Sequence, residues 1–463
     1  AYMILSESDK IDALLVDVFK QHFFRTSLPA GFNQLPLAFQ FSGFDNRVLN
    51  RFSDMFNQMG FKLVQGGTSS NRAAEAPIST IPLVPGGALS GVLVAGDMGI
   101  SGVGTITYID GNKVLAFGHP FFGSGAVSIP MAPAKVLTTI ASSYSSYKMT
   151  EDGPIAGTIH QDRNSGIMGI IGEKPNLIPI KLRYQSPFQE QFEYNFRMAA
   201  DKSLNSLTPT IILMTLYNAI SSARKGDGQF DTHLSGKIAL SNYDDIIFDN
   251  FYAGKDVGED VALSARDVAI TSLYLLMNKF NTPKIEHIDL NFQSQIGSKA
   301  AEIEQVWYDK SSLKPGESIT LNIFIRPYLR PVQKQTHQIK LPDHLDPGFY
   351  SVLVGSGDFI SRLEVALSPG KFQPYNFPHL IKLLNQRRKN NQLYIQLRKP
   401  TEGTTIGNQE FSQLPPSVLS VMNSKKTSSR RNYIRDVPLV EQVQPVDWML
   451  QGGHWIRIQV LQK

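Results

Sequence analysis

From Ile81 to Tyr184 glycine or proline recurs every few residues, with short β-branched runs between them. That punctuation breaks any helix of useful length and leaves room only for strands and turns, so the stretch reads as a compact β-domain. Its clearest piece is GTITYIDGNKVLAFGHP, residues 104–120. Two strand-like runs flank Asp110-Gly111-Asn112, residues that tolerate positive φ and favour a tight hairpin. His119 falls just past the second strand. Gly118 before it permits unusual dihedrals, and Pro120 after it locks φ.

A chain of 463 residues exceeds what one hydrophobic core serves and divides into roughly three or four domains. Ile11, Leu14, Leu15, Val18 and Phe19 recur at helical spacing behind Ser6 and Ser8. A second helix is expected from Arg47 to Met59, capped by Asp45 and stopped by Gly60, with FKLVQGG as the strand after it. TSSNRAAEAPIST is small, polar and unpatterned, a linker. PTIILMTLYNAI, Pro209 to Ile220, is too short and too polar at its flanks to span a bilayer of about 30 Å and reads as a core helix. Another helix runs from Glu259 to Phe280, with Asn281 and Pro283 as its stop.

Strand alternation follows at Ile288, Leu290 and Phe292, and again at Ile319, Leu321, Ile323 and Ile325. Turn signals LKPGES and LDPGFY make the region from Lys299 to Asp358 look Ig-like. Asn376 and Pro378 precede a basic amphipathic helix, and the terminal strand HWIRIQVLQ is placed to close onto an earlier sheet. The expected fold is mainly β with α+β parts: a β-barrel domain, an Ig-like β-sandwich and helical segments. The divisions are 1–80 (α/β), 81–200 (β-barrel), 201–298 (α+β with two core helices), 299–370 (Ig-like) and 371–463 (basic α/β).

Several chemistries are excluded or weakened by the residues. There is no cysteine, hence no disulfide, thiolate nucleophile or Cys-based zinc site. The nine histidines lie apart, without the paired helical spacing of zinc hydrolases, so no metal site is expected. GDMGISGVG lacks the Lys-Ser/Thr ending of a phosphate loop, and no cofactor is implied. The net charge of +5 conceals a gradient, since residues 371–463 hold 14 Lys and Arg against 5 Asp and Glu. NQRRKNN and NSKKTSSRRNYIR can meet phosphates or anionic headgroups at a membrane surface, or be solvated faces. Aromatics are not interleaved with them as nucleic-acid binding on single strands requires.

Nucleophilic catalysis needs a hydroxyl near an imidazole and a third group that holds the imidazole in one tautomer. His119 is the best base available, or else a polar residue in a turn. The serines near it in sequence are Ser101, Ser124, Ser128 and Ser165, none in a Gly-x-Ser-x-Gly elbow. Asp97, Asp110 and Asp162 are candidates to orient the ring, although Asp110 is explained by the hairpin and Asp162 by an ion pair with Arg163.

The combination GVGTITYIDGNKVLAFGHPFFGSGAVSIPMAPAKVL, followed by GTIHQDRNSGIMGIIGE, resembles the SpoIVB-type serine peptidases, the sporulation signalling proteases. It covers roughly a quarter of the chain. Longer bacterial envelope homologues are similar further out, at LPLAFQFSGFDNRVLNRF, IEQVWYDKSSLKPGESITLNIFIRPY and LPPSVLSVMNS. The resemblance implies a trypsin-like β-barrel with His119 as general base, supported by Gly118, Pro120 and Asp162, and a place in the periplasm or cell envelope. It also exposes a departure. The family's Gly-x-Ser-Gly-Ser-Pro nucleophile element is missing, and GISG at Ser101 imitates only half of it. The expectation is therefore an incomplete peptidase, a processed C-terminal portion, acting with a protein substrate or with an upstream fragment of the same gene product. The alternative is a non-catalytic scaffold in an envelope protein complex.

Overall fold

The computed structural model describes residues 8–23, 36–66, 81–141, 146–226, 228–406, 409–411, 415, 417–418 and 431–462. Strands make up 49% of it and helices 23%, so the protein is mainly β, as its punctuation requires.

The first elements are α1 (Ser8–Phe23), β1 (Leu37–Ser42), α2 (Asn46–Gln58) and β2 (Phe61–Gln65). Asp45 caps α2 by accepting the Arg47 N–H at 2.8 Å. Val48, Leu49, Phe52, Met55 and Phe56 form the buried stripe that helical periodicity demands. Gly60 turns the chain with φ 80°, and β2 returns parallel to β1.

Next come β3 (Ala88–Gly96), β4 (Gly99–Asp110), β5 (Lys113–Ala116), β6 (Gly125–Ile140), β7 (Tyr147–Asp152), β8 (Gly157–Arg163) and β9 (Gly166–Ile171). Six of them pair antiparallel in the cycle β3-β6-β8-β9-β5-β4 and back to β3, a closed barrel, with β7 extending β6 as a ribbon. β4 and β5 make the expected hairpin, Gly111 at φ 59°. Barrel glycines leave room for large side chains. A Cβ on Gly157 or on Gly169 would come within 2.5 Å of Met131, which fills the interior there. β1 pairs with β4, so the N-terminal elements join the barrel's sheet.

From β3 the same sheet runs on through β11 (Gln191–Ala199), β10 (Leu177–Gln185), β14 (Ile285–Ile296), β12 (Phe230–Leu240) and β13 (Ile246–Ala253). α3 (Thr208–Ala223) and α4 (Glu259–Leu276) share one apolar core with it. α3 is buried on nearly every side, which accounts for its all-round apolarity. Among the described residues no helix is long and apolar enough to cross a membrane. α4 stops short of the expected Phe280 because Asn278 Oδ1 accepts the N–H groups of Phe280 and Asn281, a turn that competes with the helix.

The remaining strands are β15 (Ala300–Tyr308), β16 (Ser312–Leu313), β17 (Ser318–Pro327), β18 (Gln333–Lys340), β19 (Gly348–Ser356), β20 (Gln392–Ile406), β21 (Gln409–Phe411), β22 (Arg431–Pro445), β23 (Met449–Gln451) and β24 (Gly453–Val460). They form two sheets, β18-β17-β15-β23 and β16-β24-β19-β20-β21 with β22 on β20, around a second core that includes Ile303, Leu321, Val352, Ile395 and Ile458. The strands expected to build a sandwich within 299–370 are thus completed by residues as distant as 460, and a division at 370 separates the paired strands β19 and β20. Val352, Leu353 and Val354 of β19 are fully buried, so both faces of this strand are covered, one by the second core and the other by α5. Between β19 and β20 lie α5 (Gly357–Leu367) and α6 (Phe377–Asn385), and Phe377, Leu380, Ile381 and Leu384 of α6 belong to the first core.

Two carboxylates are buried where the cores meet. Asp260 pairs with Arg224 at 2.7 Å, and Thr232 and Ser294 complete that network. Asp231 accepts the Lys299 N–H at 2.9 Å through Oδ1, while Oδ2 has no hydrogen-bond partner among the described residues. Burial raises its pKa from 3.8 to about 6, against the Lys299 N–H and charge and with help from Asp260. The folded protein therefore keeps this proton where an unfolded chain has released it, and stability falls as pH rises from 3.8 through about 6. Asp231→Asn keeps an acceptor for Lys299 and removes the ionisation. Urea unfolding should show the variant gaining on the parent by on the order of 3 kcal/mol between acid and neutral pH.

Candidate functional site

The segment 117–124 leaves β5, folds back over the barrel and enters β6. Phe117 has φ 76° and Gly118 φ 72°, two successive left-handed residues. A Cβ on Gly118 would meet nothing within 4 Å, so glycine is required there by torsion alone. A left-handed aromatic residue is strained and persists only when its surroundings hold it. Here they do. The Phe117 ring lies where a Cβ on Gly104 would be, and Phe121 lies against Gly91 and Gly102, so the glycines of β3 and β4 are seats for the loop's rings. Phe121 and Phe122 then pack on Phe39 of β1, with ring centroids 5.8 and 5.9 Å away.

Asp162, at the end of β8, fixes the backbone. It is fully buried and accepts the N–H groups of Phe121 at 2.7 Å, Phe122 at 2.6 Å and Ser124 at 3.4 Å. The expected ion pair with Arg163 is not formed: Arg163 is exposed and donates to Gln161 at 3.1 Å. A buried carboxylate needs donors in place of water, and three amides of a tight turn meet that need at one point.

His119 is exposed on this loop, its ring edge-on to Phe117 at 5.6 Å. Nδ1 lies 2.8 Å from the Pro120 carbonyl. A carbonyl oxygen only accepts, so in the neutral ring Nδ1 carries the hydrogen and the lone pair is on Nε2. Nε2 has no hydrogen-bond partner among the described residues. Pro120 thus contributes a carbonyl that sets the tautomer, and Gly118 the torsion that turns the ring outward.

None of the expected partners of His119 is bonded to it. Asp162 is committed to the turn, Asp97 accepts the Asn195 N–H at 2.7 Å, and Asp110 stays exposed in its hairpin. Ser101 is buried and, with Ser90, hydrogen-bonds Asp152, whose pKa is raised by burial. Ser124 and Ser128 give their amides to Asp162 and Asp201. Ser165 is exposed in the β8–β9 turn beside Gly166, where a Cβ would approach Gly118 N to 3.3 Å. Ser165 is therefore the candidate serine that the fold brings to the His119 loop.

The basic run NQRRKNN is already neutralised. Arg387 pairs with Asp267, Arg388 with Glu364 and Glu441, and Lys389 with Asp249. NSKKTSSRRNYIR lies outside the residues whose side chains are described. Among the described residues there is no cluster of three potential metal ligands. Sequence reasoning missed the left-handed Phe117, because only glycine advertises that conformation, and it missed a cleft lined by Lys371, His379 and Lys382.

Asp162→Ala should cost roughly 2–3 kcal/mol in urea unfolding, with fast amide exchange at Phe121 and Phe122, because one buried and two half-buried amide donors lose their acceptor. His119→Ala should cost about 1 kcal/mol or less. Compared with known proteins, the chain matches no family model, no curated protein and no solved structure.

Proposed function

We propose that this is a SpoIVB-type serine peptidase-like protein of the bacterial cell envelope, whose barrel is trypsin-like and carries the base half of a peptidase site. The observation that carries this reading is the geometry of His119: exposed, held through Nδ1 by the Pro120 carbonyl, with Nε2 free of hydrogen bonds among the described residues, on a loop that Asp162 anchors. An imidazole so held takes a proton from a hydroxyl at Nε2 and returns it to the leaving amine. The hydroxyl comes from outside the barrel's committed serines, supplied by a Gly-x-Ser-Gly-Ser-Pro element in an upstream fragment of the same gene product. Protein is the substrate class, and the chain alone is inactive.

A second reading, a non-catalytic scaffold whose Ig-like sandwich presents surfaces to envelope partners, is favoured by one specific observation. The amides of Phe121, Phe122 and Ser124, which follow His119 in the chain, are already bonded to Asp162 and are not open to an oxyanion. A serine-directed phosphonate probe separates the two. The peptidase reading expects labelling of the intact gene product, no labelling of this chain alone, and loss of labelling in His119→Ala with an unchanged melting temperature. Labelling of neither protein leaves the scaffold, and labelling that survives in His119→Ala overturns the role of His119 as base.

A further inference from the structure

A cleft of about 1050 Å³ lies away from the barrel, lined by α4, α5, α6 and β23. It is at the upper end of the range for ligand pockets and far larger than a single small anion fills. Most of its charges are committed to one another. Arg387 holds Asp267, Arg388 bridges Glu364 at 2.9 Å and Glu441 at 2.5 Å, and Arg362 pairs with Asp358 at 2.7 Å.

Three lining groups are left over. Lys371 and Lys382 are exposed and have no carboxylate partner among the described residues, and Nδ1 of His379 is buried without a hydrogen-bond partner. His379 and Lys382 are one turn apart on α6, and Lys371 is in the short turn Pro369–Phe372. Burial, with the neighbouring Lys382, lowers the His379 pKa and keeps the ring neutral. Of the lining carboxylates, Glu302 on β15 is the one without a partner among the described residues. Leu263 of α4 and Phe372, both half-buried, add apolar surface.

We propose that this cleft binds an acidic, extended peptide segment of a protein partner, its carboxylates seated on Lys371 and Lys382 and its apolar side chains resting on Leu263 and Phe372. A phosphate group fits less well. The guanidiniums, which would grip it in bidentate fashion, are occupied, and Lys371 Nζ lies over the Phe372 ring, 5.9 Å from its centroid. Peptide binding here does not depend on His119 being a base.

The test uses the full chain and an end-labelled peptide repeating Glu-Gly-Leu, followed by fluorescence anisotropy, with the Gln-Gly-Leu peptide as its uncharged counterpart. Saturable binding of the acidic peptide alone is expected, weakened about tenfold or more in Lys371→Ala/Lys382→Ala and unchanged in Lys181→Ala on β10. Circular dichroism melts establish that each variant is folded. Equal binding of both peptides, or an acidic-peptide affinity indifferent to the double variant, overturns the proposal. Competition by inorganic pyrophosphate at lower concentration than by unlabelled peptide also overturns it, in favour of a phosphate site.

Discussion

The Asp162 carboxylate organises the end of the barrel through an interaction that depends on burial. In water its hydrogen bonds to three amides would merely replace solvation; inside the protein they replace solvation that is no longer available, so the turn after His119 has one arrangement in which the charge is tolerated. From that arrangement the rest follows. With Phe121 and Phe122 directed at β1, the N-terminal elements gain an aromatic surface to pack on, and Phe39 and Phe61 meet it. With residues 121–124 fixed, the strain at Phe117 is held rather than relieved, and His119 is left outside. The glycines of β3 and β4 are the other half of the device, since side chains at Gly91, Gly102 or Gly104 would occupy the volume that the rings fill.

The second unit relies on paired charge instead. Arg398 of β20 is almost wholly buried and bonds Asp436 of β22 at 2.7 Å, while Gln396, Glu364, Arg388 and Glu441 extend the network to α5 and to the loop before β20. Such pairs return little net stability, because both ions lose water; removing one member is what costs, about 3–5 kcal/mol. Their use here is positional. They tie the helix between β19 and β20 to the sheet that those strands share, and they neutralise Glu364 and Glu441 of the cleft, while Lys371 and Lys382 have no carboxylate partner among the described residues.

Local order was legible in the sequence where the signal is local. The cap at Asp45, the stripe of α2, the hairpin at Gly111, the core character of α3 and the alternation of Ile319 to Ile325 all appear where periodicity and turn chemistry place them. Pairing was not legible. No window of sequence shows that β24 lies beside β19, or that α6 belongs to one core and the strand after it to another. The same limit applies to the site. Gly118, His119 and Pro120 could be recognised as a constrained turn, but Asp162 lies about forty residues away, and its role as an acceptor for amides, rather than for Arg163 or the imidazole, depends on the register of β6 against β8. Charge counting identified a basic C-terminal region and could not tell that Arg387, Arg388 and Lys389 would find carboxylates, whereas Lys371 and Lys382 would not.

The interleaving of the last strands with earlier ones has a bearing on how the protein is made. β15 pairs with β23, and β19 with β24, so both sheets of the second unit wait for residues that emerge late from the ribosome. Until then β19, apolar along most of its length, lacks the neighbour that will cover one edge, and closing so long an intervening chain is slow. The first core, apart from α6, is synthesised before β15 and can begin to form while synthesis continues. The nascent second unit, by contrast, passes through an interval with an open apolar strand, and a holdase acting during translation would find its target there.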